Sequence, residues 1–331
     1  DGTSWTEVND LNLNRRGVGT CAIVNTAAIA FGGEQNPTTH YTNNESWNGT
    51  CWSEVGELND GRVSMLAIGS STAGLALGGV ASPPHYQQNE SWDGTSFTEV
   101  GDMNTGRYGS GATAGTQTSG LAWTNQADYG VNCESWNGSA WTAVANLNTE
   151  KIQDGGGGDN NTTALSSGGM GEGFVALAKT ELWNGTAWTE VNDLSLARGY
   201  QYNGGNATAG WNAGGYLQPG AFTAQTEEWN ADQSIGAWSS GGDLNVAKTG
   251  IGNAGTQTAA LGMGGIVSGT AVTSNESYNG STWTEIADLN TGANSFGSNG
   301  TQTSALAYGG QNTPPSGAET NKNESWNGSA W

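Results

Sequence analysis

Residues 324–331 read Glu-Ser-Trp-Asn-Gly-Ser-Ala-Trp, and near-copies of this stretch recur along the whole chain. The copies occupy residues 45–52, 90–97, 134–141, 181–188 and 276–283, with a looser version at 227–238 and a truncated one at 1–5. Asn-Gly or Asp-Gly between alternating strand residues is a strong β-hairpin signal, because a type I′ turn needs φ > 0 at both central positions. The stretch therefore predicts a string of hairpins.

The spacing of these copies predicts the fold. The second aromatic residue of each copy falls at positions 5, 52, 97, 141, 188, 238, 283 and 331, which delimit seven repeats of 44 to 50 residues. A period of about 40 to 50 residues with four strands is typical of β-propeller blades. We therefore expect an all-β chain that forms a single seven-bladed propeller over residues 1–331, with four antiparallel strands per blade.

Composition excludes several classes of protein. The net charge is −21 with only 9 Lys plus Arg, which disfavours nucleic acid and anionic membranes as partners. No apolar run approaches 18 residues, so membrane insertion is not expected. Cys21, Cys51 and Cys133 have no paired spacing and are interpreted as free thiols. The chain begins and ends inside a repeat, so we expect it to be a segment of a longer protein.

Residues 58–103 illustrate one repeat. The pattern predicts strands at 62–68, 73–77, 90–92 and 96–100, with Gly78-Gly79 after the second strand. An equivalent Gly pair occurs in every repeat except the third, which has Thr124-Asn125. The helix-like run at 174–179 is interpreted as strand or loop, because its phase is that of the entry to a third strand.

The combination of motifs resembles the kelch repeat. The shared pattern is a small-apolar strand ending in Gly-Gly, then Glu-x-aromatic-Asn/Asp, a Gly turn, Trp, Leu and a base before the next strand. The chain departs from kelch in its low Lys and Arg content and in its preference for Trp over Tyr. It is also similar to repeat arrays in structural, fibre-type proteins of marine bacteriophages. The kelch resemblance implies that the first strand of each blade lines a central channel and that the fourth forms the rim.

The loops that vary between repeats are the candidate binding surface. Antiparallel order places the loops between second and third strands on one face, and these differ in length and content, as binding loops on a regular scaffold do. Their residues that break the repeat phase are the predicted ligand-binding residues: His40, Tyr41, His85, Tyr86, Tyr129, Phe174, Tyr216 and Phe222.

Six of the nine basic residues share one repeat phase. They are Arg15, Arg62, Arg107, Lys151, Arg198 and Lys248, with Ala293 in the seventh repeat. A Glu recurs at the start of each third strand, at positions 45, 90, 134, 181, 227, 276 and 324. The two series predict either a structural ring of ion pairs, which we favour, or a cationic ring that captures an anion.

The repeated aromatics also have two interpretations. Trp47, Trp92, Trp136, Trp183, Trp229, Tyr278 and Trp326 share one phase. Packing between blades explains this regularity better than sugar-stacking platforms do.

The sequence contains little that indicates catalysis. His40 and His85 are the only histidines, and no Cys or carboxylate stands at metal-ligand spacing, so no metal and no cofactor are expected. Residues 91–97 resemble the Asp-box of sialidases but are one residue short. The acidic residues of the fourth strands are interpreted as a solvated rim, with calcium binding as the minor alternative.

These observations predict a non-catalytic binding or structural propeller, virion-borne or extracellular, that contacts a host glycan or another virion protein. The alternatives are a kelch-type protein-interaction scaffold, secreted or intracellular, and a propeller hydrolase of sialidase-like type. Two structural expectations accompany them. Gly109, Gly111, Gly250 and Gly252 should crowd the channel, and residues 4–8 should close the ring as the outermost strand of the last blade, antiparallel to residues 323–326.

Overall fold

A computed structural model describes residues 4–36, 39–80, 87–109, 112–125, 129–231, 237–312 and 321–331. Seven blade sheets follow one another along the chain: six are antiparallel with four strands, and the last has five strands. The chain is therefore a seven-bladed β-propeller, as the repeat spacing predicts. Its described helical content is a single 3-10 turn at Glu172–Phe174.

The strands of blades 1 to 7 occupy equivalent places in each repeat. The first strands are Gly19–Val24, Leu66–Gly69, Ala112–Thr116, Gly155–Asn160, Tyr202–Gly205, Gly252–Thr256 and Gly297–Thr301. The second strands are Ala27–Phe31, Gly74–Leu77, Ser119–Trp123, Thr163–Ser167, Ala209–Ala213, Ala259–Met263 and Ser304–Tyr308. The third strands are Asn44–Trp47, Asn89–Trp92, Cys133–Trp136, Thr180–Trp183, Thr226–Asn230, Asn275–Tyr278 and Asn323–Trp326. The fourth strands of blades 1 to 6 are Trp52–Val55, Phe97–Val100, Trp141–Val144, Trp188–Glu190, Ala237–Ser240 and Trp283–Ile286.

The first strands surround the channel. Each contacts the first strand of the next blade, and the series returns from Gly297–Thr301 to Gly19–Val24. Gly252 lies in this inner wall, where an added Cβ would come within 2.3 Å of the Phe296 ring of the next blade. Glycine is therefore needed there for aromatic packing between blades rather than for inward crowding. Gly109 and Gly250 precede their first strands, and Gly111 lies outside the described residues.

In the repeat 58–103 the first strand begins at Leu66 rather than at residue 62. The difference has a local cause, since Ser64 adopts φ 55° and interrupts an extended chain. Within the run at 174–179, Val175–Ala176 forms a short strand in the loop between the second and third strands. The third strand starts later, at Thr180–Trp183.

Blade 7 contains the N-terminal strand. Ser4–Glu7 pairs antiparallel with Asn323–Trp326, with Trp5 opposite Trp326. It is the fourth of five strands and not the outermost, because Ser329–Ala330 adds in parallel on its outer side. The hairpin after Trp326 cannot pair back in the usual way, since Ser4–Glu7 already occupies that edge.

The hydrophobic core lies between neighbouring blades. Trp136 of blade 3 packs with Leu75 and Leu77 of blade 2 and is 1% exposed. The phased aromatics are all buried, which confirms that they pack between blades and do not form surface platforms. Blades 7 and 1 pack in the same way, through Tyr308 and Trp52, whose ring centroids are 5.1 Å apart.

The Gly pairs allow neighbouring blades to approach. Gly33 N–H donates to the Arg62 carbonyl at 2.7 Å, and Gly79 N–H to the Arg107 carbonyl at 2.8 Å. Both residues have φ near 95°. A Cβ on Gly32 would lie 2.6 Å from the Arg62 oxygen, so only glycine fits without a shift.

In the third repeat a partly buried carboxylate, Asp154, links the neighbouring blades instead. Asp154 accepts hydrogen bonds from Trp123 Nε1 at 3.0 Å, Thr124 Oγ1 at 3.1 Å and Ser166 Oγ at 2.6 Å. These bonds tie the second strand of blade 3 to blade 4. Burial raises the pKa of Asp154, although Lys151 and the three donors oppose the shift.

Candidate ligand-binding site

Four of the predicted loop aromatics lie together on the face that carries the loops between second and third strands. Tyr129 of blade 3 meets Phe174 of blade 4 edge to face at 6.1 Å between ring centroids. In blade 5, Tyr216 contacts Phe222 at 6.0 Å. A fifth ring, Tyr200, contacts Tyr216 at 6.3 Å. We call these five residues the aromatic cluster.

Short two-stranded ribbons carry three residues of the cluster, Phe174, Tyr216 and Phe222. Met170–Gly171 pairs with Val175–Ala176 in blade 4, and Tyr216–Leu217 pairs with Ala221–Phe222 in blade 5. Blades 1 and 6 have equivalent ribbons, Glu34–Asn36 with Thr39–His40 and Ile266–Val267 with Thr270–Ala271. A bridge between Gly199 and Tyr216 anchors the blade 5 ribbon beside the entry to its first strand. The ribbons therefore stand next to the channel.

Four of the five cluster residues line an open cavity. Phe174, Tyr200, Tyr216, Phe222 and Thr249 surround a volume of about 390 Å³, which we call the aromatic cleft. Phe174 is 53% exposed, Tyr200 38% and Phe222 37%. Large apolar side chains this exposed contrast with the repeated aromatics, which are buried, and such surfaces mark interaction sites.

A second cavity adjoins the cleft at the channel mouth. It has a volume of about 290 Å³, shares Tyr200 and Thr249 with the cleft, and is lined further by Gln153, Gln201, Gly250, Ile266 and Ser295. We call it the polar mouth. The two cavities together form one surface that is aromatic on one side and hydrogen-bonding on the other, which is the usual composition of a ligand site.

Backbone strain concentrates at this surface. Tyr129, Phe174, Tyr200, Gln153 and Ser295 all have φ between 51° and 60°. Bulky residues rarely adopt this left-handed region, and such strain persists where surrounding structure enforces it, often at functional sites.

The site is electrically neutral. Among the described residues that line the cleft and the mouth, none carries a charge at neutral pH. Partial burial raises the pKa of Tyr200, with the neighbouring phenols of Tyr129 and Tyr216 adding to the shift, so its hydroxyl stays protonated at neutral pH. Gln201 donates to the Ser167 carbonyl at 2.7 Å, while its buried Oε1 has no partner among the described residues. The lining therefore favours an uncharged, hydrogen-bonding ligand.

The other predicted loop residues lie elsewhere or outside the described residues. His40 and Tyr41 belong to blade 1 and line neither cavity. His40 Nε2 is 3.4 Å from Glu34, which also pairs with Arg16 at 3.1 Å. Tyr41 donates to Gln35 at 3.2 Å. His85 and Tyr86 are outside the described residues.

Sequence reasoning missed Gln153, Gln201, Thr249, Ile266 and Ser295 of the polar mouth and one aromatic residue, Tyr200. It lies two positions after Arg198, in a connection between blades and not in a loop between second and third strands. The available signal was a bulky residue at a phase where three repeats have glycine, Gly17, Gly109 and Gly250.

The phased basic residues form a structural ring, which removes the anion-capture interpretation. Each is fully buried and pairs with the Glu of its own blade, as in Arg15–Glu45 at 2.9 Å and Arg107–Glu134 at 3.0 Å. The remaining pairs are Arg62–Glu90, Lys151–Glu181, Arg198–Glu227 and Lys248–Glu276, at 2.5 to 3.9 Å.

The same Glu residues accept backbone and side-chain N–H groups, such as those of Asn104 at 2.7 Å from Glu134. In blade 7, where Ala293 replaces the base, Asn290 and Thr291 donate to Glu324 at 2.7 to 3.0 Å.

Comparison with known proteins adds no family. The chain matches no protein-family model and no curated protein sequence. Across the described ranges, no three His, Cys, Asp or Glu side chains gather as metal ligands, and no helix is long and apolar enough to span a membrane.

Proposed function

We propose that this propeller is a non-catalytic binding protein whose aromatic cleft and polar mouth hold a neutral carbohydrate. The observation that carries the proposal is the continuous surface built on Tyr200, with exposed rings on one side and uncharged polar groups on the other. Aromatic rings offer large, rigid, apolar faces, and the C–H face of a pyranose ring with equatorial hydroxyls is complementary to them.

Isothermal titration with cellohexaose, chitohexaose and laminarihexaose tests the proposal. We expect binding of at least one of these neutral oligosaccharides, and a weakening of about tenfold in Tyr216→Ala, which removes the ring between Tyr200 and Phe222. Tyr41→Ala is the matched control, since Tyr41 is a loop aromatic outside both cavities. Absence of heat with all three sugars, or equal losses in the two variants, would contradict carbohydrate binding at this site.

A protein partner is the second candidate. Phe174 and Val175 are adjacent and 53% and 49% exposed, so the tip of the blade 4 ribbon presents an apolar pair suited to burial against another protein. This candidate becomes the better one if the oligosaccharides do not bind and Phe174→Ala abolishes association with a partner identified by cross-linking.

We also propose a kelch-type architecture closed by the N-terminal strand. The support is the pairing of Ser4–Glu7 with Asn323–Trp326, extended by Leu11 N–H to the Asn321 carbonyl at 2.9 Å and by Asn323 Nδ2 to the Asn9 carbonyl at 2.8 Å. Deleting residues 1–7 should lower Tm, and a synthetic peptide of residues 1–10 should restore it. An unchanged Tm would contradict closure by this strand.

The proposed setting is a virion or extracellular surface, where the protein meets a host glycan. Its support is the charge of −21, which disfavours anionic membranes and nucleic acid as partners. Flanking coding sequence tests the setting, because fibre or coiled-coil segments favour a virion, a signal peptide favours secretion, and an appended hydrolase domain would contradict a non-catalytic role.

A further inference from the structure

One position in every repeat has a left-handed backbone. It lies two residues after the basic position and comprises Gly17, Ser64, Gly109, Gln153, Tyr200, Gly250 and Ser295, all with φ between 52° and 67°. We call these seven residues the mouth ring.

The ring conformation links neighbouring blades. The N–H of one member donates to the carbonyl of the member before it, at 2.8 Å for Ser64 to Gly17 and for Gly109 to Ser64. The same bond is 3.2 Å for Tyr200 to Gln153 and 3.3 Å for Ser295 to Gly250. The positive φ is therefore imposed by the propeller, whatever residue occupies the position.

Glycine satisfies this backbone without strain, yet only three members are glycine. The other four hold side chains in a region that L-residues disfavour. Three of those four, Gln153, Tyr200 and Ser295, line the polar mouth. The strained side chains of the mouth ring therefore lie mainly at the cavity. Backbone strain of this kind is often found at functional sites.

We propose that Gln153, Tyr200 and Ser295 are the specificity-determining residues of the binding site, which select a ligand by its hydroxyl groups. This inference rests on the proposed carbohydrate function. The Gln153 amide can both donate and accept hydrogen bonds, as sugar hydroxyls do, whereas Ser295 Oγ donates to Asn294 Oδ1 at 3.0 Å and offers a sugar hydroxyl its acceptor lone pairs. Tyr200 belongs to both cavities, so it places a stacked sugar ring beside these groups.

Glycine substitution separates this role from a structural one. In Gln153→Gly and Ser295→Gly we expect Tm to stay level or rise, because backbone strain is relieved. We expect the Kd for the hexasaccharide that wild type binds to rise about tenfold. Ser64→Gly is the matched control: Ser64 has the same strain in blade 2 but lines neither cavity, so its Tm should stay level or rise with Kd unchanged. A further variant, Gln153→Asn, keeps an amide that tolerates φ > 0 and should retain wild-type Tm with a weaker Kd.

The outcomes distinguish this inference from the proposed function. Failure of wild type to bind any of the three hexasaccharides contradicts the function and this inference with it. If wild type binds and both Gln153→Gly and Ser295→Gly bind equally well, the inference alone is wrong. A lower Tm in all three glycine variants would also overturn it, because the ring side chains would then be structural.

Discussion

The aromatics that repeat and the aromatics that break the repeat have opposite environments. Trp136, at the repeated phase, is 1% exposed and donates its Nε1–H to the Gln117 carbonyl at 2.7 Å. Phe174, which has no counterpart at its phase, is 53% exposed and held at φ 60°. In a structure built from one repeated unit, a residue needed by every blade is repeated, whereas a residue needed once is not. Repetition therefore separates the buried aromatics of the core from the exposed aromatics of the loops.

Removal of a repeated aromatic is the strongest test of this comparison. We expect Trp136→Ala to lower the free energy of unfolding by about 3 to 5 kcal/mol through the cavity it leaves, with about 1 kcal/mol more from the lost hydrogen bond. Oligosaccharide affinity of the remaining folded protein should not change. Urea unfolding followed by circular dichroism measures the first quantity, and titration measures the second. A stability within 1 kcal/mol of wild type, on the scale of a surface change, would contradict packing.

The repeated ion pairs should behave as the repeated aromatics do. Arg107→Met keeps apolar volume but leaves the Glu134 carboxylate buried without its guanidinium, which costs about 3 to 5 kcal/mol. The double variant Arg107→Met/Glu134→Gln should recover much of that loss, because it removes the stranded charge while the amide oxygen still accepts the Asn104 N–H groups. If the single and double variants are equally unstable, packing and not charge explains the ring.

Much of the fold was accessible from the sequence because it repeats. The Asn-Gly turns gave the hairpins, their spacing gave seven blades, and the Arg and Glu phases gave the buried pairs. The site was accessible only in part. Loop aromatics could be selected by their broken phase, but nothing in the sequence shows that His40 faces Glu34 in blade 1 while Phe174 and Tyr216 meet beside the channel. Which loop residues meet depends on the direction in which each ribbon extends from its blade.

Tyr200 shows a second limit. Its position at the cavities comes from a backbone conformation that the ring imposes, and φ cannot be read from a single repeat of sequence.

The five-stranded last blade shows the same limit. The Asn327-Gly328 turn has the same sequence signal as the other hairpins. Ser329–Ala330 nevertheless lies outside the N-terminal strand, because that strand already occupies the edge of Asn323–Trp326.

Truncation of a residue that breaks the repeat should have the converse effect. In Phe174→Ala we expect oligosaccharide affinity to fall by about 1 kcal/mol, roughly fivefold, because one stacking face is lost. The free energy of unfolding should change by less than about 0.5 kcal/mol, since the ring is exposed. Phe97→Ala is the control in a repeated position: it is 8% exposed and packs with Phe31, so it should lose stability and keep affinity. Equal losses of stability in the two variants would break the comparison.

Asp154 tests whether every residue that breaks the repeat has a functional role, because it breaks the phase but is partly buried and hydrogen-bonded between two blades. Burial raises its folded-state pKa above the ordinary 3.8, so the folded protein holds its proton more tightly than the unfolded chain. The carboxyl therefore favours folding most at low pH, and this contribution is lost as pH rises from about 3.8 through the folded pKa.

Asp154→Asn cannot ionise, so the stability of wild type relative to this variant should decline across that window. Urea unfolding of both proteins at pH 4, 5, 6 and 7 measures it, with oligosaccharide affinity unchanged throughout. A difference that stays constant with pH would show that Asp154 is ionised at its ordinary pKa. A loss of affinity would place this buried network in the binding site after all.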